Sequence, residues 1–435
     1  MLTAEENETL TRVGPGTAMG TLMRRYWLPA CTSADLEAGG APKAVRLLGE
    51  DLVAFRTGNG TVGLVGERCP HRGASLLLAR NLDCALECIY HGWQTAPDGR
   101  IVDMPAEPED STYKEKFRHV AYAVREGGGV VWAFLGGGDP PPLPNYEWLD
   151  LPDGHALFLR AIARCNWAQA LEGAIDSAHQ TYLHDARSRI ARDRAHVERI
   201  AAEGGELTDG FDETGQVIRP WNDGRPRLKV ENTPYGFCYA ALRKPMIQED
   251  RLQNVRVSFF VAPVSVIIPG PAGWAQLLAH VPIDDTHTTF WHVRANLERP
   301  YTEEEEKVHR HAAGLVPGVG IDESYNRTAS RDNLWLQDRD EMRFGDRLSG
   351  MHGTVNEDHA VQESMGPVVD RTNEHLGTSD QAVIRFRRLM LDAAGAPDAD
   401  AVIGLGPGVD LSVLRGVDRT VPLELEWQAV ASGAA

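Results

Sequence analysis

The chain reads as an α+β protein: a small all-β unit, then a larger antiparallel sheet with helices against it. Three observations predict this. Short strand-like runs separated by turn chemistry fill residues 45–135, a Gly/Pro-rich stretch from Gly136 to Trp148 (GGGDPPPLPNYEW) interrupts them, and strand candidates mixed with capped helices follow. We place an N-terminal helical segment over 1–39, the β unit over 40–145 and the larger unit over 146–435. With 435 residues there is ample chain for two sizeable cores.

In the β unit, Leu52–Arg56 and Thr61–Val65 flank Thr57-Gly58-Asn59-Gly60, whose Asn-Gly pair suits a hairpin turn. Pro97-Asp98-Gly99 marks a second turn, and Gly127-Gly128-Gly129 separates strands at Val120–Val124 and Val130–Leu135. The larger unit opens with a strand at Phe158–Cys165. A helix is expected over Ala168–Leu183, because Leu171, Ile175, Ala178 and Tyr182 recur at three-four spacing. Strands dominate Phe237–Asn296, including Asn254–Ile268 and Thr288–Asn296, and helices return at Glu303–Ala313 behind Thr302 and at Asp380–Ala394 behind Ser379.

Composition narrows the function classes. The 62 acidic against 44 basic side chains give a formal charge of -18, which disfavours nucleic acid and anionic membrane surfaces. The start, MLTAEENETL, lacks the basic opening and apolar core of a secretory signal. The longest apolar run, Val257–Ile268, is interrupted by Ser258, Pro263 and Ser265 and is too short to span a bilayer. A cytoplasmic location follows, where clustered Cys and His point to metal before disulfide.

The densest such cluster is CPHRGASLLLARNLDCALECIYHGW, Cys69 to Trp93, with three of the six cysteines. It resolves into Cys69-Pro-His71 and, sixteen residues later, Cys88-Ile-Tyr-His91. A zinc ribbon usually pairs thiolates with thiolates, whereas each arm here offers one thiolate and one imidazole. That mixture suits a Rieske [2Fe-2S] centre, in which two Cys hold one iron and two His the other. Gly73 and Gly92 would let the backbone approach the sulfides closely. Cys84 is expected to be a small buried thiol outside the ligand set.

A second constellation lies in NWAQALEGAIDSAHQTYLH, Asn166–His184. On a regular helix Glu172, Asp176 and His179 fall within about 60° of one another as a polar ridge. His184 would lie about 140° from His179, so the two can meet one metal only if the helix ends or bulges between them. Two His plus one carboxylate on one face of an iron leave positions open for dioxygen and substrate. The third ligand is sought downstream in NEDHAVQESMG, where Asp358 is the choice; Asp338 and Asp340 are alternatives, and capping is the competing role for a helix-start Asp.

With both sets in hand, the sequence resembles the large oxygenase subunit of Rieske non-haem iron oxygenases, in particular the phthalate-dioxygenase-like branch. The resemblance runs over nearly the whole chain, through RVGPGTAMGTLMRRYWLPA, RLLGEDLVAFR, CPHRGASL, CIYHGW, NWAQALEGAIDSAHQTYLH and NEDHAVQESMGPVVDRTNEHLGTSDQAVIRFRR. It implies a Rieske domain ahead of a helix-grip catalytic domain, assembled as a head-to-tail homotrimer or stacked trimers. Carried over by motif, Cys69, His71, Cys88 and His91 hold the cluster and His179, His184 and Asp358 hold a mononuclear Fe(II). Asp176 resembles the bridging carboxylate that joins an iron-ligand histidine to His91 of the partner subunit. An NAD(P)H-dependent reductase of flavin or ferredoxin type is implied as electron donor, since no convincing dinucleotide or flavin motif is found here.

The resemblance further implies an aromatic substrate, often a carboxylate, oxidised with O2 by ring dihydroxylation, O-demethylation or methyl hydroxylation. A carboxylate calls for a guanidinium in an apolar pocket; Arg243 is preferred over Arg256, with a rim salt bridge as its competing role. Asn166 either lines the pocket or caps the helix. Two other classes compete: a pure electron carrier, for which residues 40–145 would suffice, and a zinc-stabilised binding protein. The 290 residues beyond Asn145 and their His-His-Asp set argue against the carrier.

Overall fold

The computed structural model describes residues 1–205, 210–211, 217–221, 223–396 and 409–432. It separates into two compact units, one of Arg12–Asp150 with Pro282–Asp285, the other of Met1–Thr11, Leu151–Val281 and Thr286–Ala435. Helix α1 (Ala4–Thr11) therefore groups with the larger unit, and the smaller one begins with α2 (Ala18–Met23).

Strands of the smaller unit are β1 (Trp27–Thr32), β2 (Lys43–Leu47), β3 (Glu50–Arg56), β4 (Val62–Gly66), β5 (Arg80–Asn81), β6 (Leu86–Glu87), β7 (Gln94–Thr95), β8 (Ile101–Asp103), β9 (Ala123–Gly127) and β10 (Val130–Phe134). They form three antiparallel sheets, β1-β10-β9, β2-β3-β4 and β5-β6-β7-β8. The β3–β4 hairpin closes as its sequence predicts: Thr57 N–H donates to the Thr61 carbonyl at 3.0 Å, and the Thr57 hydroxyl donates to Asn59 Oδ1 at 2.6 Å. Val53, Phe55, Val65, Leu76, Leu86 and Trp93 fill the core, and the Cys69 and Cys88 side chains border it. Cys84 corrects an expectation. It is exposed, because it sits in the turn that Leu82 and Ala85 close between β5 and β6 and not in a strand.

The larger unit carries β11 (Ala156–Ala163), α3 (Trp167–Ile175), α4 (Arg187–Ala202), β12 (Arg227–Thr233), β13 (Gly236–Arg243), β14 (Leu252–Val261), β15 (Ser265–Ile267), β16 (Trp274–Pro282) and β17 (Thr288–Asn296). After these come α5 (Glu303–Ala313), α6 (Arg339–Phe344), α7 (Thr354–Ser364), α8 (Gln381–Gly395), β18 (Val417–Pro422) and α9 (Trp427–Ala431). The eight strands make one antiparallel sheet, β11-β17-β16-β15-β14-β13-β12, with β18 on β14. The α+β class predicted from the sequence is the fold observed. The run Asn254–Ile268 is two strands and not one, since Pro263 lacks the N–H that a continuous ladder requires. Helix α5 has the bounds expected from sequence, with a capping box between Thr302 and Glu305.

One face of the sheet meets the helices through aromatic contacts: Trp167 of α3 packs on Phe386 of α8, and Phe386 on Phe260, itself beside Phe237. Tyr239 and Ser258, two residues along the same strands, share that face by strand alternation. Glu172 anchors the arrangement. Its carboxylate accepts from Arg371 Nε at 3.0 Å and Arg387 Nε at 2.8 Å, while Arg371 also donates to Asn7 of α1 at 3.0 Å. Burial pushes the Glu172 carboxyl upward, but the two guanidinium groups more than offset this and hold it below the usual carboxylate range. Glu172 is thus turned to a structural ion cluster and away from the ridge it was expected to share with His179. Glu172→Ala leaves Arg371, whose side chain is 0 % exposed, with an unmatched buried charge. Urea unfolding followed through the larger unit is predicted to show a loss of about 3–5 kcal/mol; a change below about 1 kcal/mol, the size of a surface pair, would show that the cluster is not holding the helices.

Candidate metal centres

The two Cys/His arms fold into the same loop twice. Cys69 N–H donates to the Ala74 carbonyl at 2.8 Å and Gly73 N–H returns to Cys69 at 2.8 Å; Cys88 and Trp93, then Gly92 and Cys88, repeat both bonds at 2.9 Å. Gly73 and Gly92 each adopt φ 76, a left-handed turn that a side chain would strain. This pairing buries both thiols and leaves the imidazoles outside them. Burial and the neighbouring Cys88 push the Cys69 thiol up to about 11, against the N–H groups of His71 and Arg72. The His71 and His91 rings lie 4.5 Å apart edge to face, and His71 stacks on Trp93 at 4.7 Å. An inner thiol pair and an outer imidazole pair fit two sulfide-bridged irons, one ligated by sulfur and the other by nitrogen.

The second centre depends on where α3 stops. The helix expected through Leu183 ends at Ile175, because Asp176 leaves the helical conformation and its Oδ1 accepts the Ala178 N–H at 2.7 Å, a local bond that competes with the next helical turn. His179 opens a separate short turn, His179–Thr181, and His184 follows in irregular chain. The two rings meet edge to face, 5.1 Å between centroids. Asp358 reaches them from the middle of α7, whose N-cap is Gly353, so it is not itself a cap. His179, His184 and Asp358 offer ligand atoms that all lie within 4.8 Å of one another.

Each imidazole is aimed by a carboxylate. His179 Nδ1 lies 3.3 Å from Asp176 and His184 Nδ1 donates to Glu357 Oε2 at 2.7 Å, so both Nε2 atoms face Asp358 Oδ1, at 3.7 and 3.0 Å. A carboxylate on one ring nitrogen fixes the tautomer and raises the basicity of the other. Burial raises the Asp176 carboxyl, but His179 and the Ala178 N–H more than offset it; burial likewise opposes charge on His184, yet Asp358 and Glu357 push its pKa up to about 9. Two imidazoles, each backed by a carboxylate and each able to give up its inner proton to a metal, converge with the Asp358 carboxylate on one point and suit a ferrous ion with open positions. Glu357 was not identified from sequence. The available signal was the adjacent pair Glu357-Asp358 on a helix, where neighbours point about 100° apart and only one can face the histidines.

Beside this triad lies a cavity of about 280 Å³ between sheet and helix, with Trp221, Leu278, Phe290 and Val355 among its apolar walls. Three guanidinium groups line it: Arg219, Arg256 and Arg294. Arg256 pairs with Asp418 at 3.1 Å; burial, then the charges of Arg189, Arg256 and Arg243, drives the Arg219 pKa well below its ordinary value. Arg243, preferred from sequence as the substrate arginine, is not a lining residue. It faces inward, stacked 4.1 Å from the Trp221 ring centroid and donating to the Ser177 carbonyl at 2.5 Å, so it braces the wall. Asn166 is likewise occupied elsewhere: its amide oxygen caps α3 through Ala168 N–H at 3.0 Å and its nitrogen donates to the Thr11 carbonyl at 2.9 Å. Asp338 caps α6 through the N–H groups of Asp340 and Glu341, and neither Asp338 nor Asp340 joins the histidines. Arg219, in irregular chain, and Arg294, on β17, were missed because nothing in local sequence tells which residues face a cavity.

Two sequence families match the chain: the Rieske [2Fe-2S] domain over residues 26–120 and the LigXa C-terminal domain like family over residues 133–433. The phthalate 4,5-dioxygenase oxygenase subunit of Pseudomonas putida is 40% identical over 431 residues, covering 98% of this chain and 94% of that one. The 3-chlorobenzoate-3,4-dioxygenase oxygenase subunit of Comamonas testosteroni is 35% identical over 453 residues, covering 98% and 97%. Among solved structures, the terminal oxygenase of carbazole 1,9a-dioxygenase from Nocardioides aromaticivorans IC177 shares the fold with a TM-score of 0.52 at 19% identity, over 89% of this chain and 98% of that one.

Removing the partner of His184 tests the geometry directly. Glu357→Ala is expected to weaken Fe(II) binding at the triad about 10–100-fold, read by equilibrium dialysis, while the visible spectrum of the cysteine-ligated centre is unchanged. Wild-type affinity would mean that Glu357 does not orient His184.

Proposed function

Since the chain belongs to the Rieske non-haem iron oxygenases, joining a Rieske [2Fe-2S] domain to a LigXa-like C-terminal domain, we propose that it oxidises an aromatic carboxylic acid. The protein is the oxygenase component of a multicomponent enzyme, with a [2Fe-2S] cluster and a mononuclear iron as its cofactors. In our assignment Cys69, His71, Cys88 and His91 hold the cluster, and His179, His184 and Asp358 hold the iron. When bound, the cluster stores and relays single electrons and the iron activates dioxygen.

The remaining work falls to the chain's own side chains. The single observation behind the substrate class is that Arg219 and Arg256 line the same cavity as the triad, where a carboxylate can accept charge-assisted hydrogen bonds. Leu278, Phe290, Trp221 and Val355 exclude water from the ring and hold one edge toward the triad; which edge decides the product. Asp176 accepts from His179 and, in the assembled enzyme, from His91 of the partner subunit, so that one carboxylate aligns both ligands. We further assign a head-to-tail homotrimer, an NAD(P)H-dependent reductase with flavin or ferredoxin as electron donor, and a cytoplasmic location. None of the six cysteines is disulfide-bonded, which supports ligand and thiol roles, and no helix among the described residues is long and apolar enough to cross a membrane. The two dioxygenase relatives support ring dihydroxylation as the reaction.

Oxygen uptake with a matched reductase, screened over benzoates and methoxybenzoates, tests the substrate class: a diol product supports the reading, and formaldehyde release from methoxybenzoates replaces dihydroxylation with O-demethylation. Arg256→Gln, which keeps a hydrogen-bond donor for Asp418 but removes the charge, is predicted to raise KM for the aromatic acid about 10–100-fold with a smaller effect on kcat; an unchanged KM would remove Arg256 from the site. Asp176→Asn is predicted to leave both metal centres assembled by metal analysis and absorption yet reduce turnover at least about 100-fold, the upper end of losses for a ligand-orienting partner. Normal turnover would end the bridging assignment.

A further inference from the structure

The chain just after His184 is strapped to a second segment. Arg187 N–H donates to the Asp346 carbonyl at 2.9 Å, Leu348 N–H donates to the Asp185 carbonyl at 3.1 Å, and Ala186 forms an antiparallel bridge with Arg347. The Asp346 carboxylate ties the segments again, accepting from the Ser188 N–H at 2.6 Å and the Ser188 hydroxyl at 2.7 Å. Ser349 comes next in the strap. Its hydroxyl donates to Glu357 Oε1, the oxygen that His184 does not use, and accepts the Met351 N–H at 3.2 Å. The turn behind it is fixed as well: the Ser349 carbonyl accepts from the Gln337 amide at 2.8 Å, and Asp338 N–H donates to the Gly350 carbonyl at 2.7 Å. Gly350 has φ 66, and a Cβ there would run into the Asp338 carbonyl.

Charge shows what the hydroxyl adds. The buried carboxylates of Glu172 and Glu363 are each met by arginine, whereas no arginine or lysine pairs with Glu357 among the described residues, although it is only 3 % exposed. Its oxygens are met by one neighbour each, His184 on Oε2 and Ser349 on Oε1. A hydroxyl donating to an ionised carboxylate is among the stronger hydrogen bonds, and a buried carboxylate that loses one keeps an unmet oxygen. With only His184 left to hold it, Glu357 can turn about its last bond, and the imidazole loses its fixed direction.

We propose that Ser349 is a positioning residue for the iron site, acting through Glu357 to fix the His184 ring. The inference rests on the assignment of His179, His184 and Asp358 to the iron. A serine that merely shaped the turn through Met351 would act independently of Glu357, so a double-mutant cycle separates the two roles. Fe(II) affinity is read by equilibrium dialysis on the full-length, cluster-containing protein as wild type, Ser349→Ala, Ser349→Thr, Glu357→Ala and the Ser349→Ala/Glu357→Ala pair. Ser349→Ala is expected to weaken Fe(II) binding about tenfold, the low end of losses for an outer partner of a ligand, with the cluster spectrum and melting temperature retained. Ser349→Thr, which keeps the hydroxyl, restores it. In the Glu357→Ala background the serine substitution changes affinity less than about twofold, since the group it acts through is already gone. An equal loss in both backgrounds, or wild-type affinity in Ser349→Ala, overturns the proposal and leaves the triad standing. If the wild type itself binds no Fe(II) beyond the cluster, the triad assignment is wrong and this inference goes with it. A Ser349→Ala protein without a melting transition is replaced by Ser349→Gly, for which the same two backgrounds are compared.

Discussion

The end of α3 at Ile175 is the constraint from which the catalytic unit is built. Had the helix continued, His179 and His184 would point about 140° apart and could not share an ion. The Asp176 carboxylate takes the Ala178 N–H for itself, the helix gives way to a short turn, and the two rings come within 5.1 Å of each other. The same carboxylate also touches His179 Nδ1 at 3.3 Å. One aspartate therefore terminates the helix that would have separated the ligands and aims one of them. Its counterpart on the other ring, Glu357, comes from α7 together with Asp358, so two short segments provide three candidate ligands and both orienting groups.

Around this point the unit spends its charges in two different ways. Toward the helix layer, Glu172 and Glu374 are matched by Arg371 and Arg387, and Glu363 by Arg327, closed sets that hold elements together and leave no charge over. Toward the cavity, Arg256 pairs with Asp418 at 3.1 Å and Arg219 lies 3.6 Å from Asp185, with the guanidinium groups of Arg189, Arg256 and Arg243 acting against the Arg219 charge. The smaller unit follows a different rule. Its two matching loops impose symmetry by backbone bonds, and the sorting of thiols inward and imidazoles outward follows from which residues of each loop point to the core.

How much of this was legible in the chain depends on the range of the interaction. Turn chemistry is local, so the β3–β4 hairpin and the capping box of α5 were readable residue by residue. The α+β class was readable because strand alternation and helical spacing are also local. The end of α3 was not, since Leu171, Ile175, Ala178 and Tyr182 keep a helical period while an aspartate side chain overrides it. Arg243 misled for the opposite reason: a strand arginine is visible in sequence, but only the fold shows that Trp221 and the Ser177 carbonyl hold its guanidinium behind the wall. Arg219, Arg294 and Glu357 act through partners far away in the chain. Cys84 was expected inside because free thiols usually are, yet a two-residue strand on either side leaves it at a turn.

The central claim is that one polypeptide houses two different iron sites, a sulfide-bridged pair and a single ion. Iron and acid-labile sulfide analysis of anaerobically reconstituted protein tests it most directly. The account predicts about three irons and two sulfides per chain, with the Rieske absorption spectrum. Two irons with two sulfides would leave only an electron carrier, and zinc without sulfide would contradict both sites.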